Sequence, residues 1–205
     1  MQHLFVIGLD RAHAQALERL PQAAECRFHP LLEPWEIQAL RPYDLEELIK
    51  RAVRELQAHG GSLDGVASFH DFPGSVLVPI LAERFGLSGP TLEAVMGCEH
   101  KTLSRLAQQR VIPESTPEFS PFDPADPEAF GRIDLPLPFW IKPVKSFRSF
   151  LAYEIDCEER FWEVMPICQE QIGWIGEPFL GLMERYDGAH PPEAERSFIA
   201  EAPIA

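Results

Sequence analysis

The sequence predicts an α/β protein in two parts: a Rossmann-like domain on a parallel sheet over residues 1–95, then a small α+β subdomain over residues 96–205. Three features predict it. Short apolar runs alternate with amphipathic helical segments through the first part, the order that builds parallel sheets with covered faces. A glycine- and proline-bearing turn, Gly86-Leu87-Ser88-Gly89-Pro90, then separates two textures of sequence. Beyond it, two apolar strand-like runs flank a short polar connection, as in an antiparallel hairpin.

In the first part, His3-Leu4-Phe5-Val6-Ile7-Gly8 reads as a strand, and Ala12 to Leu20 follows at helical spacing. Cys26 to Leu32 supplies a second strand. Leu45, Leu48, Ile49, Ala52, Val53 and Leu56 then recur at helical intervals until His59-Gly60-Gly61 stops them. Gly65 to Phe69 is a third buried strand, and Val76 to Phe85 a helix. Between these last two lies His70-Asp71-Phe72-Pro73-Gly74, a loop at the carboxyl end of a strand. Open α/β sheets commonly bind ligands there, so His70, Asp71 and Gly74 are candidate substrate-side residues; a plain turn is the alternative. Gly8-Leu9-Asp10-Arg11-Ala12 has one glycine where a dinucleotide turn needs three, so NAD is not inferred.

In the second part, Leu92 to Met96 and His100 to Arg110 read as helices. From Pro113 to Pro143 the density of proline predicts mostly loop with short extended pieces. Phe139 to Val144 is the one strand expected there, with Phe150 to Ile155 as its antiparallel partner across Lys145 to Ser149. Glu158 to Ile172 is helical, with Pro166 expected to break or kink it; Gly173 to Arg196 has no clear pattern. Phe198-Ile199-Ala200 is a strand leading into Glu201-Ala202-Pro203-Ile204-Ala205.

Composition bounds the function. Of the 205 residues, 45% are hydrophobic and 24% charged, which describes a globular chain. A net charge of −14 argues against a phosphate-backbone grip, because nonspecific nucleic-acid binding rests on many Lys and Arg contacts. A nucleotide site needs only a few placed cations and is compatible with an acidic protein. No apolar run reaches the roughly 18 residues of a membrane span, and no basic-then-apolar leader opens the chain. Cys26, Cys98, Cys157 and Cys168 have no CxxC or metal spacing, which suits reduced thiols in the cytoplasm. The histidines show no HExxH-like spacing, and Glu99-His100-Lys101 reads as a solvated helix end, so no protein metal site is assigned.

Lys142 is the sharpest single signal. It sits mid-strand among Phe139, Trp140, Ile141 and Val144, where an unpaired ammonium is costly unless an anion reaches it. Alternation outward onto an exposed face is the other reading.

The stretch GLSGPTLEAVMGCEHKTLSRLAQQRVIPESTP, then LPFWIKPVKSFRS, then FIAEAPIA, in that order, resembles the ATP-grasp superfamily across roughly the whole chain. The resemblance implies that Lys101, opening a helix after the boundary turn, and Lys142, in a Lys-Pro strand, contact nucleotide phosphates. It implies an adenine hinge at Glu201, Ala202 and Ile204, the last two through backbone groups. The sequence departs from the family at Lys145-Ser146-Phe147-Arg148-Ser149, where relatives carry a glycine-rich loop over the phosphates. Without glycine, close backbone approach is harder. The hydroxyls of Ser146 and Ser149, with Lys145 or Arg148, are expected to replace some amide contacts.

The same resemblance implies ATP and magnesium as cofactors and a small carboxylate as substrate, activated as an acyl phosphate and attacked by an amine or thiol. Magnesium ligands are expected on the family's later lobe, beyond the matched region. On this reading the chain is the N-terminal portion of a ligase, inactive alone, with Phe198 to Ala205 presenting an unfinished apolar strand edge and a homodimer left open. The alternative is a non-catalytic α/β module that binds a small ligand or regulates a partner, for which a covered C-terminal strand is expected.

Overall fold

The structure is a computed structural model and describes residues 1–38, 44–186 and 198–204. The chain divides into two compact units, Met1–Val95 and Met96–Ala205. No helix among the described residues is long and apolar enough to cross a membrane.

The first unit contains β1 (Gln2–Ile7), α1 (Arg11–Glu18), β2 (Cys26–Leu31), α2 (Pro34–Ile37), α3 (Leu45–Ala58), β3 (Gly65–Ser68) and α4 (Gly74–Phe85). Its strands form a parallel sheet in the order β2-β1-β3, with Phe5 opposite His29 on one side and Val66 on the other. Asp44 caps α3 by accepting from Glu47 N at 3.0 Å, and the helix buries Leu48, Ile49, Ala52, Val53 and Leu56. That stripe is the one its periodicity predicts. Gly86 ends α4 at φ +65, a left-handed cap that glycine adopts without a Cβ clash.

The second unit contains α5 (Leu92–Glu99), α6 (Lys101–Val111), β4 (Phe119–Phe122), α7 (Ala129–Arg132), β5 (Phe139–Pro143), β6 (Tyr153–Ile155), α8 (Glu158–Gln171), α9 (Gly173–Tyr186) and β7 (Phe198–Glu201). The strands form an antiparallel sheet ordered β4-β7-β5-β6. Alternation sorts the side chains. Phe139, Ile141, Phe198 and Ala200 belong to a buried cluster with Phe161, Val164, Met165 and Cys168 of α8. Burying a side chain the size of Phe161 contributes about 1.5 to 3 kcal/mol, and its ring also meets Phe122 and Phe130 at 5.5 and 5.4 Å between centroids.

Several expectations are corrected. Residues 198–201 are not a sheet edge: β7 lies between β4 and β5 and is buried along its length. A β4 strand forms within the proline-rich stretch, because Pro121 sits on an edge strand where a missing N–H is tolerated. A short helix, Ala129–Arg132, forms there as well. Pro166 does not end α8, which continues to Gln171. The poorly patterned stretch after Gly173 is helical to Tyr186, although Pro178 lies inside it; residues 187–196 of that stretch, like Ala205, lie outside the described residues. The partner of β5 is shorter than expected, Tyr153–Ile155, because residues 144–152 form an irregular connection with Arg148, Ser149 and Leu151 at positive φ.

Candidate functional site in the second unit

The face of the β5–β7 pair opposite the apolar cluster carries the charges. Lys142 stands opposite Ile199 and Glu201 opposite Trp140, so Lys142 and Glu201 are diagonal neighbours on one face. Their ammonium and carboxylate form a salt bridge. Arg105, one turn after Lys101 on α6, completes the group: its Nε donates to Glu201 Oε1 at 3.0 Å and its Nη2 to Oε2 at 3.4 Å. Glu201 is 6% exposed, whereas Lys142 and Arg105 keep 25% and 22% of their side-chain surface open. Two cations on one carboxylate leave this trio net positive within an acidic chain, which is the electrostatic requirement of an anion site.

Lys101 lies at the start of the same helix. Its backbone N–H donates to Val144 O at 2.9 Å, tying α6 to the end of β5. Its Nζ donates to Ser146 O at 3.0 Å and Ser146 Oγ at 3.2 Å. The structure thus brings Lys101 and Ser146 together, and joins Lys142 to Glu201. Ser149 and Arg148 are exposed on the connection, at φ 58 and 51. Ala202 N–H is used within the sheet, donating to Glu118 O at 2.9 Å, and Ile204 is 82% exposed.

Two sequence expectations change here. Lys145, expected among the groups that replace amide contacts to the phosphates, is instead 3% exposed, bonds Glu99 Oε2 at 2.7 Å and sits 5.4 Å from the Phe179 ring centroid. Glu99-His100-Lys101 is not a solvated face. His100 is fully buried as the N-cap of α6, its Nδ1 accepting from Leu103 N at 3.3 Å, and burial pushes its pKa down to about 4. Cys168 is equally inert, its thiol pushed up to about 12 by burial. Sequence reasoning missed Arg105; its position one turn beyond Lys101 is the signal that could have found it.

In the first unit, His70, Asp71 and Gly74 do lie together at the carboxyl end of β3. His70 Nε2 is 3.1 Å from Gly8 O, across the end of β1, and Gly74 N donates to Asp71 O at 2.9 Å. A Cβ at Gly74 would lie 2.6 Å from Ser68 Oγ and 3.0 Å from His70 Cβ, so this position tolerates only glycine without displacement. Sequence spacing pointed to no metal site, yet the fold gathers His3, His29 and His59 into one cluster.

No protein-family model matches the chain, and no curated protein matches it. Solved structures do. The chain is similar to an L-amino acid ligase from Bacillus licheniformis, at 19% identity and a TM-score of 0.62 over 98% of this chain and 46% of that one. It is similar to the D-alanine-D-alanine ligase from Coxiella burnetii, at 14% identity and a TM-score of 0.55, covering 100% of this chain and 64% of that one. An N5-carboxyaminoimidazole ribonucleotide synthetase from Thermus thermophilus matches at 16% identity and a TM-score of 0.51, over 100% of this chain and 41% of that one. The chain therefore spans less than two-thirds of the length of each of these proteins.

Proposed function

Starting from a chain that has the ATP-grasp superfamily fold, we propose that its second unit binds ATP and that the protein serves an ATP-dependent carboxylate-amine or carboxylate-thiol ligase reaction. The observation that carries the proposal is the bridge of Lys142 and Arg105 on Glu201. It sets the Lys-Pro strand, the strand leading to the hinge and the helix opened by Lys101 around one partly open, cationic spot.

In this reading Lys142 turns from Glu201 to a phosphate, and Arg105 keeps the buried carboxylate neutralised while it does so. An unpaired carboxylate at that depth would otherwise oppose the incoming anion. Lys101 holds the 145–149 connection through Ser146 and reaches the phosphates beside it, with Ser146 and Ser149 offering hydroxyls. Adenine lies against residues 201–204. Because the Ala202 amide is committed to Glu118, a hinge contact through Ala202 falls to its carbonyl, with Ile204 contributing through its backbone groups.

The proposed reaction is the one that the resemblance to ATP-grasp ligases implies. A substrate carboxylate oxygen attacks the γ-phosphorus, ADP leaves, and an amine or thiol then displaces phosphate from the acyl carbon. Cations around the transferred group stabilise the charge that develops there. His70, Asp71 and Gly74 are the proposed substrate contacts of the first unit. Magnesium requires oxygen ligands, and the buried carboxylate of this site, Glu201, is taken by two cations. The residues of this site do not fit the metal, so its ligands are assigned to the part of the neighbours' length that this chain does not span. On this reading turnover draws on that part as well, and the setting is cytoplasmic.

A second reading has one observation in its favour. β7 is closed on both sides by its own chain, as expected of a self-sufficient binding or regulatory module. Thermal-shift titration with Mg-ATP separates the two, since a ligand of the native state raises the midpoint by mass action. The ligase reading expects a rise that Lys142→Ala abolishes. No rise at roughly a hundredfold excess over a micromolar Kd, where about 2.7 kcal/mol is due, or a rise unchanged in the variant, removes it.

A further inference from the structure

We propose that the first unit binds a borderline-soft divalent transition metal, zinc foremost, through His3, His29 and His59. One donor nitrogen of each ring lies within 4.8 Å of the other two. The residues come from three separate elements: the start of β1, the middle of β2 and the residue that caps α3. Ring centroids are 5.1 Å apart for His3 and His29, 5.4 Å for His3 and His59, and 4.7 Å for His29 and His59, so the rings close a triangle.

Hydrogen bonding within the triangle is incomplete. His3 Nδ1 and His29 Nε2 are 3.0 Å apart and share one proton. His59 Nε2 is buried with no hydrogen-bond partner among the described residues. A buried imidazole nitrogen without a partner is a cost that a metal ion removes. Gly61 packs against this nitrogen: a Cβ there would stand 2.9 Å from His59 Nε2, so any larger residue would crowd the ring.

The chemistry of the donor set selects the metal. Imidazole suits zinc, copper and nickel, and three histidines with a fourth position open to solvent is an established zinc arrangement. Zinc-nitrogen bonds of about 2.0 to 2.1 Å place tetrahedral donors about 3.3 Å apart, so closing on an ion asks for ring movements on the order of 1 Å. Phe5 supports two of the three rings, stacking on His29 at 4.8 Å and meeting His59 edge-on at 4.9 Å. The cluster sits at the amino end of β1, away from His70 and Gly74 at the carboxyl end of the sheet. Its ion would tie β1, β2 and the end of α3 together and would not act on substrate there.

The test uses the full chain, freed of metal with a chelator and titrated with zinc against a chromophoric competitor. The expected result is one equivalent bound, weakened at least tenfold in His59→Ala and in His29→Asn, and unchanged in Cys26→Ser. X-ray absorption of the zinc-loaded wild-type chain gives a readout that does not depend on variants folding. It should show nitrogen neighbours near about 2.0 Å, whereas a sulfur shell near about 2.3 Å would assign the metal to cysteines and overturn the site. No binding by the wild-type chain, or undiminished binding in both histidine variants, overturns it equally.

Discussion

Arg105 Nε donates to Glu201 Oε1 at 3.0 Å, a bond between residues 96 positions apart that fastens α6 to the sheet of the second unit. With Lys142 on the same carboxylate, the bond makes Glu201 the charge on which the polar face of that sheet depends.

Glu201→Gln should therefore destabilise the chain by roughly 2 to 3 kcal/mol, since it leaves two partly buried cations without a counter-charge. Urea denaturation should show a lower midpoint at unchanged slope. Adding Lys142→Met to that variant should recover part of the loss, and an additive result would show that the two side chains are not coupled.

His100 makes acid destabilising. Its folded pKa of about 4 lies below the ordinary value of 6.5, so between those values the unfolded chain binds the extra proton. Stability contributed by the neutral, buried ring is full above about pH 6.5 and falls as pH drops toward 4, by up to about 3 kcal/mol at about 1.36 kcal/mol per unit. His100→Asn keeps an N-cap acceptor but cannot titrate. Denaturation midpoints at about pH 7 and about pH 4.5 should differ less in that variant than in the wild type.

Ser149 occupies the left-handed region at φ 58, a conformation that costs a non-glycine residue about 1 to 2 kcal/mol. Ser149→Gly should hold or raise stability by up to about 1 kcal/mol, while Ser149→Val should lower it. If the Ser149 hydroxyl serves ATP, the glycine variant will be the more stable protein and the weaker binder, which thermal melts with and without nucleotide can separate.

Gly74→Ala should cost about 1 to 3 kcal/mol through overpacking against Ser68 Oγ and His70 Cβ. Ser68→Ala in the same chain should return part of that cost. A double-mutant cycle with no coupling would show that the two positions do not touch.

The parallel sheet of the first unit was legible because its signals are local: apolar runs, a helical stripe from Leu48 to Leu56 and glycines at the turns. Lys101 and Lys142 were legible through a resemblance carried by short motifs. What stayed hidden depends on long-range pairing or on propensity overridden by packing. Gly173, Gly176, Pro178 and Gly181 argue against a helix, yet α9 forms and buries Ile175, Phe179 and Met183. Nothing local marks Glu99 as the partner of Lys145, 46 positions away. The histidine cluster is hidden for the same reason. His3 and His29 meet only because β1 and β2 pair in parallel with Phe5 opposite His29, and no spacing rule within a segment reports that register.

The central place of β7 also bears on how the second sheet comes together in time. β5 and β6 join through a short connection, but among the described residues β4 has no neighbour in the sheet other than β7, which pairs Glu201 with Phe119 and Trp140 at once. Of the four strands it is the last to be synthesised. The sheet therefore cannot close progressively behind the growing chain; β4 and the β5–β6 hairpin must wait apart, and a single late insertion unites them. Such non-local closure slows folding and leaves two unpaired strand edges exposed until it happens.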